Sequence, residues 1–123
     1  MAISIVVHVD ALRSLGFASI SGTYATLGTA FGHKTRMVKI TNNTDGDMFI
    51  GWTTGSVAPA SDGTADNQFI PAGGFTLFDF SANPGSEGQF PFCFCQNTQA
   101  WVRQSSAPTK GSVYLECIYG KGE

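Results

Sequence analysis

With 123 residues, the chain has the length of one domain and can bury roughly two-thirds of the surface it exposes when unfolded. Charged residues are only 13% of it, about half the share of an ordinary globular domain, so its surface is neutral and suited to association. A net charge of −2 with seven scattered Lys and Arg excludes the basic stripe of a nucleic-acid binder, and no apolar run reaches the roughly 18 residues of a membrane helix.

Met1 to Val9 has neither the basic region nor the cleavage pattern of a secretory signal. Alternation of Ile3, Ile5, Val7 and Val9 predicts a strand there instead, because every second residue of a strand shares a face. Asp10 is placed to cap one helical turn over Ala11 to Leu15. From Phe17 to Phe31, Thr and aromatic residues favour strand, punctuated by Gly22 and Gly28. The only basic cluster is Lys34, Arg36 and Lys39, with Arg36 and Lys39 on opposite faces of one strand.

Arg36 to Thr41 and Asp47 to Trp52 read as two strands joined through Asn42-Asn43-Thr44-Asp45-Gly46. Asn, Asp and Gly tolerate the positive φ of a tight turn, which predicts an antiparallel hairpin. Residues 53–65 are small or polar apart from Val57, a long exposed loop suited to contact with another protein or to a plain excursion. Gln68 to Pro71 is a short strand stopped at Ala72-Gly73-Gly74. Phe75 to Phe80 is apolar on both faces, with Phe75 and Leu77 one way and Phe78 and Phe80 the other. Such a strand is central and covered twice, or it faces a partner subunit. Gln89 to Cys95 carries Phe90, Phe92 and Phe94 on one face, and Pro91 argues for an edge or a bulge. Ala100 to Gln104 and Ser112 to Tyr119 complete the series. The expectation is an all-β, single-domain antiparallel β-sandwich or jelly roll of about eight strands, with residues 1–16 as a possible N-terminal arm.

Chemistry is sparse. Cys93 and Cys95 lie at i and i+2, where a mutual bridge would be strained, and Cys117 could reach either from a neighbouring strand. The plainer expectation is three reduced, half-buried thiols in a protein made in a reducing cytoplasm. Neither His8 nor His33 sits near a nucleophile elbow. Most acids fall in turns. Asp79, set among Phe75, Leu77, Phe78 and Phe80, would need a partner if buried, with Arg36 or Arg103 as candidates. No catalytic residue, cofactor or metal is expected. Trp52, Trp101, Tyr24 and Tyr119 could form a sugar-stacking platform, or simply pack in a core or interface.

Several segments recur in a familiar order. Thr23-Tyr24-Ala25-Thr26-Leu27-Gly28-Thr29 is followed by Arg36 to Asp45, then Phe69-Ile70-Pro71-Ala72-Gly73-Gly74-Phe75 with Phe80. Trp101-Val102-Arg103 and Pro108 to Leu115 come last. Across residues 17–120 this resembles the small β-sandwich virion structural proteins of tailed double-stranded DNA bacteriophages. Residues 1–16 and the 53–65 loop depart from that pattern. The resemblance implies a non-enzymatic subunit of the virion, made in the cytoplasm of a bacterial host. It places the chain at the neck or head–tail connection, with capsid decoration (a cement protein) as the alternative. The implied partners are copies of itself in a homo-oligomer and other virion proteins, with no nucleic acid, membrane or small-molecule substrate. Candidate subunit contacts are Ile3, Ile5 and Val7 in the arm, Val57 in the loop, and Phe75, Phe78 and Phe80. A carbohydrate-binding β-sandwich module is the reading from another class.

Overall fold

A computed structural model of the chain describes residues 7–66, 68–79 and 94–120. Its strands are β1 (Val7–Val9), β2 (Arg13–Gly16), β3 (Ala25–Thr26), β4 (Met37–Thr44), β5 (Met48–Thr54), β6 (Gln68–Ile70), β7 (Phe75–Asp79), β8 (Thr98–Gln104) and β9 (Gly111–Gly120). They form two antiparallel sheets. Sheet I runs β1-β9-β4-β7, with β2 pairing the same edge of β9 as β1, and sheet II runs β3-β8-β5-β6. A single 3₁₀ turn, Phe17–Ser19, is the only helical element among the described residues.

The alternation predicted along the sequence decides what each strand buries. In β9, Val113, Leu115 and Cys117 point inward; in β4, Val38 and Ile40 do the same. They meet Met48 and Ile50 of β5, Ile70 of β6 and Val102 of β8 across the gap. Leu27 and Phe31, from the segment between β3 and β4, close one end of this core. Each such aliphatic side chain stabilises the fold by roughly 1.5–3 kcal/mol relative to exposure. The fold is therefore a β-sandwich, as the period-two pattern predicts.

The expected hairpin is not formed. β4 pairs with β7 and β9, whereas β5 pairs with β6 and β8, so the two strands belong to opposite sheets. The reason lies in Asn42 and Thr44, which point inward and are buried instead of sitting in a solvent turn. Asn42 Nδ2 donates to the carbonyls of Gly46 (2.8 Å), Ile70 (3.0 Å) and Pro71 (3.2 Å), and Asn42 Oδ1 accepts from the Thr44 N–H (3.1 Å) and hydroxyl (2.6 Å). One amide thus satisfies the backbone at a corner where the chain crosses between sheets and where the β6–β7 turn arrives. Gly73, with φ 75, supplies the positive dihedral of that turn.

The segment expected to hold one helical turn is extended. Ala11 to Leu15 leads into β2, which pairs Arg13 with Leu115. Arg13 points inward and is buried, so the strand wins over the local capping signal. Its guanidinium donates to the carbonyls of Thr29 (2.7 Å), Ala30 (3.2 Å) and Ala11 (3.2 Å), and pairs with Asp10 at 3.2 Å. It also lies 5.2 Å from the centre of the Phe31 ring. Residues 7–9 and 13–16, part of the expected arm, pair with β9 of their own chain. Residues 80–93, with the turn at Asn83, most of the predicted strand from Gln89, and Cys93, lie outside the described residues.

Candidate assembly face

The two outer faces of the sandwich are treated differently. On sheet II, the chain after β5 folds back over the strand. Pro59 lies so close to Gly51 that a methyl group there would sit 2.9 Å from Pro59 Cγ. Arg103 makes a two-pronged ion pair with Asp66, the Tyr24 hydroxyl donates to the same carboxylate, and the Tyr24 N–H donates to Ser61 Oγ at 3.0 Å. The Arg103 hydrogen bonds hold the Asp66 carboxyl below the usual carboxylate range, against a smaller opposing effect of burial. Burial, then the adjoining carboxylate, pushes the Tyr24 phenol well above its ordinary value. This cluster fastens the 55–66 segment to its sheet. It also uses Arg103, so that residue is not the partner of Asp79, which is exposed at the end of β7.

Sheet I has no such cover among the described residues. Its register builds three outward rows. Val9, Ile118, Met37 and Asp79 form the first. Glu116, Lys39 and Leu77 form the second, with Leu12 beside Glu116. Ser14, Tyr114, Thr41 and Phe75 form the third. Val9 is 77% exposed, Phe75 62%, Leu12 60% and Leu77 48%. Four large apolar side chains on one continuous face are not the scattered singles expected of a solvated surface. In the middle, Lys39 Nζ lies 5.0 Å from the centre of the Phe75 ring. Two shallow depressions flank it. One, about 420 Å³, lies between Leu12 and Tyr114; the other, about 200 Å³, lies between Val9 and Leu77.

The candidate contacts separate accordingly. Phe75 is on this face. Phe78, on the same strand, is not: it is half-buried against the core, with its ring 6.0 Å from Trp52 and 5.2 Å from Phe94. Among the described strands β7 is the end of sheet I, with one face packed on the core, and Phe78 lies on that core face instead of the outer one. Val57 is 70% exposed but belongs to the segment after β5. Val7 pairs with Gly120 in β1. Ile3, Ile5 and Phe80 lie outside the described residues. Missing from the sequence-derived set are Val9, Leu12, Leu77, Met37 and Ile118. Leu77 shares the side of Phe75 in the alternation, and Ile118 is the apolar exception on the polar side of β9; those were the available signals.

Several other polar and aromatic groups are occupied structurally. Cys117 is buried, accepts from Arg13 Nη1 (3.4 Å) and lies 3.7 Å from Asp10 Oδ2. Burial first, with Asp10 adding to it against Arg13, pushes its thiol up to about 11, away from the range of a reactive thiolate. Cys95 is exposed, not half-buried as expected. His33 stacks on Tyr119 at 3.9 Å and 7°, and His8 stacks on the same ring at 5.1 Å. The four aromatics considered for sugar binding form no common platform. Trp52 points inward and stacks on Phe94 at 4.4 Å, Trp101 and Tyr24 are buried on the far side of sheet II, and Tyr119 belongs to sheet I.

No family model matches this chain, and neither a curated protein nor a solved structure matches it.

Proposed function

We propose that the chain is a non-enzymatic structural subunit of a bacteriophage virion that acts by assembly, at the neck or head–tail connection, with capsid decoration as the alternative position. The observation that carries this reading is the outer face of sheet I, uncovered among the described residues, where Val9, Leu12, Phe75 and Leu77 stand in solvent; on the opposite sheet the 55–66 segment is strapped down, leaving Phe69 at the β6 edge half exposed. A low-charge surface and the likeness of segment order to virion β-sandwiches support it. Interfaces are depleted of charge at their centres and gain their energy from buried apolar groups.

The test is recovery of the protein in particles. In phage purified by density gradient, the chain is expected at a fixed copy number, and bound antibody is expected at one place on the particle. A number set by a single ring marks the neck; one matching the capsid subunits marks decoration. Replacing Phe75 and Leu77 by Ser leaves the exposed strand folded and removes the chain from particles. Wild-type protein found only in the soluble lysate, never with particles, overturns the reading.

A further inference from the structure

We infer that the outer face of sheet I docks against the same face of a second copy, about a two-fold axis that runs along the strands between β9 and β4. This rests on the assembly reading above and names the first partner of that face.

The charges of the face select this occupant. Lys39 and Glu116 are cross-strand neighbours in the middle row. Among the described residues neither makes an ion pair: the Lys39 ammonium lies over Phe75, and Glu116 stands exposed. One cation and one anion side by side, flanked by one mainly apolar row and one mixed row, suit neither a polyanion nor a strongly charged protein. They do suit their own rotated image. An axis between β9 and β4 exchanges the two strands, so Lys39 of one copy meets Glu116 of the other, twice. The same rotation sets Ile118 over Met37, Leu12 over Leu77 and Tyr114 over Thr41, and at the corners Val9 over Asp79 and Phe75 over Ser14.

Geometry and size are compatible. Strands about 4.8 Å apart make the face roughly 20 Å wide, and at about 3.3 Å per residue it runs about 33 Å along β9 but only about 17 Å along β7 and the three rows. That footprint is at most about 600 Å², below the roughly 800 Å² per partner of a standard stable complex, so the dimer belongs to the weak, reversible class. Packed sheets lie about 10 Å apart and turned by about 30°, so the correspondence is closest at the central charges and loosens outward. There Asp79 sits at the rim. The apolar groups supply the affinity; the paired charges fix the orientation and exclude other stacking registers.

The experiment is sedimentation equilibrium on the full chain, on Lys39→Glu and Glu116→Lys separately, and on their equimolar mixture. Circular dichroism checks that each variant is folded. The wild type is expected to dimerise reversibly. Each variant puts like charges opposite one another at two places and weakens self-association at least tenfold. The mixture restores it, because an all-acidic face then meets an all-basic one. Glu116→Lys alters an exposed side chain, so it reports even if Lys39→Glu folds poorly. A wild type that is monomeric up to millimolar concentration, a ring or trimer, or a dimer indifferent to both reversals overturns the two-fold face. Should wild-type protein still be found in particles, that failure leaves the virion reading standing; a charge-sensitive dimer that never enters particles separates the two in the opposite sense.

Discussion

Replacing Asn42 by Ala removes a wholly buried side chain and the five hydrogen bonds it makes at the corner between the sheets. The Gly46 carbonyl keeps a donor, because the Thr44 hydroxyl reaches it at 3.0 Å. The Pro71 carbonyl likewise keeps the Gly74 N–H, at 2.8 Å, so the loss falls on the Ile70 carbonyl and on the Thr44 N–H. A buried group left without its partner costs about 1–3 kcal/mol, and one that reaches water about 1 kcal/mol. The sum for the two groups is about 2–4 kcal/mol, a large part of the roughly 5–15 kcal/mol that holds a domain folded. At about 4 °C per kcal/mol for a chain of this length, the melting temperature falls by about 8–16 °C. Thermal unfolding followed by circular dichroism measures this directly. Asn42→Asp separates hydrogen bonding from volume. It is nearly isosteric, but it turns a carboxylate oxygen toward three carbonyls, so it should be worse than Ala. A fall below about 4 °C for the Ala variant, or an Asp variant more stable than Ala at neutral pH, would refute the corner argument.

Asp66→Asn should lower the melting temperature at pH 7 and cease to matter in acid. The folded-state Asp66 carboxyl lies below its ordinary value, so its contribution is complete above about pH 4, the unfolded value, and drains away as pH falls through the lowered one. A difference between the two proteins that stays constant down to pH 2 contradicts this. Cys117 should resist a thiol reagent in the native state. In a Cys93→Ser, Cys95→Ser variant, a thiol at about 11 has about 200-fold less thiolate at pH 8 than an ordinary one near 8.5; labelling at the free-thiol rate before unfolding would count against the buried site. Gly111→Ala should prevent stable folding, because φ is 90 and the new methyl would lie 2.0 Å from the Asn43 carbonyl oxygen. Soluble variant protein with a wild-type melting curve would show that the backbone yields there.

The fold class was legible because alternation is a property of single strands. Val113, Leu115 and Cys117 announce an inner face without any knowledge of what they pack against. Strand partnership was not legible in the same way. Asn42 to Gly46 has the composition of a hairpin turn, and only the carbonyls of Ile70 and Pro71, distant in sequence, make it a crossing between sheets. Arg13 reads as a surface charge until Thr29 and Ala30 supply its acceptors. Half of the candidate face was visible in Phe75 and its alternation partner Leu77. The other half was not, because Val9 and Leu12 join that face only through the register of β1 and β2 on β9.

That register also orders events during synthesis. β9, the final strand of the fold, is the one that β1, β2 and β4 all require. Until the ribosome has extruded it, Val38 and Ile40 have no neighbour on that side, and the early strands wait with open edges. Closing such distant pairs is slow, and a waiting edge invites a wrong partner. A nascent chain stalled before Gly111 should therefore be held by chaperones, whereas release of β9 joins the described strands of sheet I in one step and creates, in the same instant, the outer face on which the proposed second copy would land.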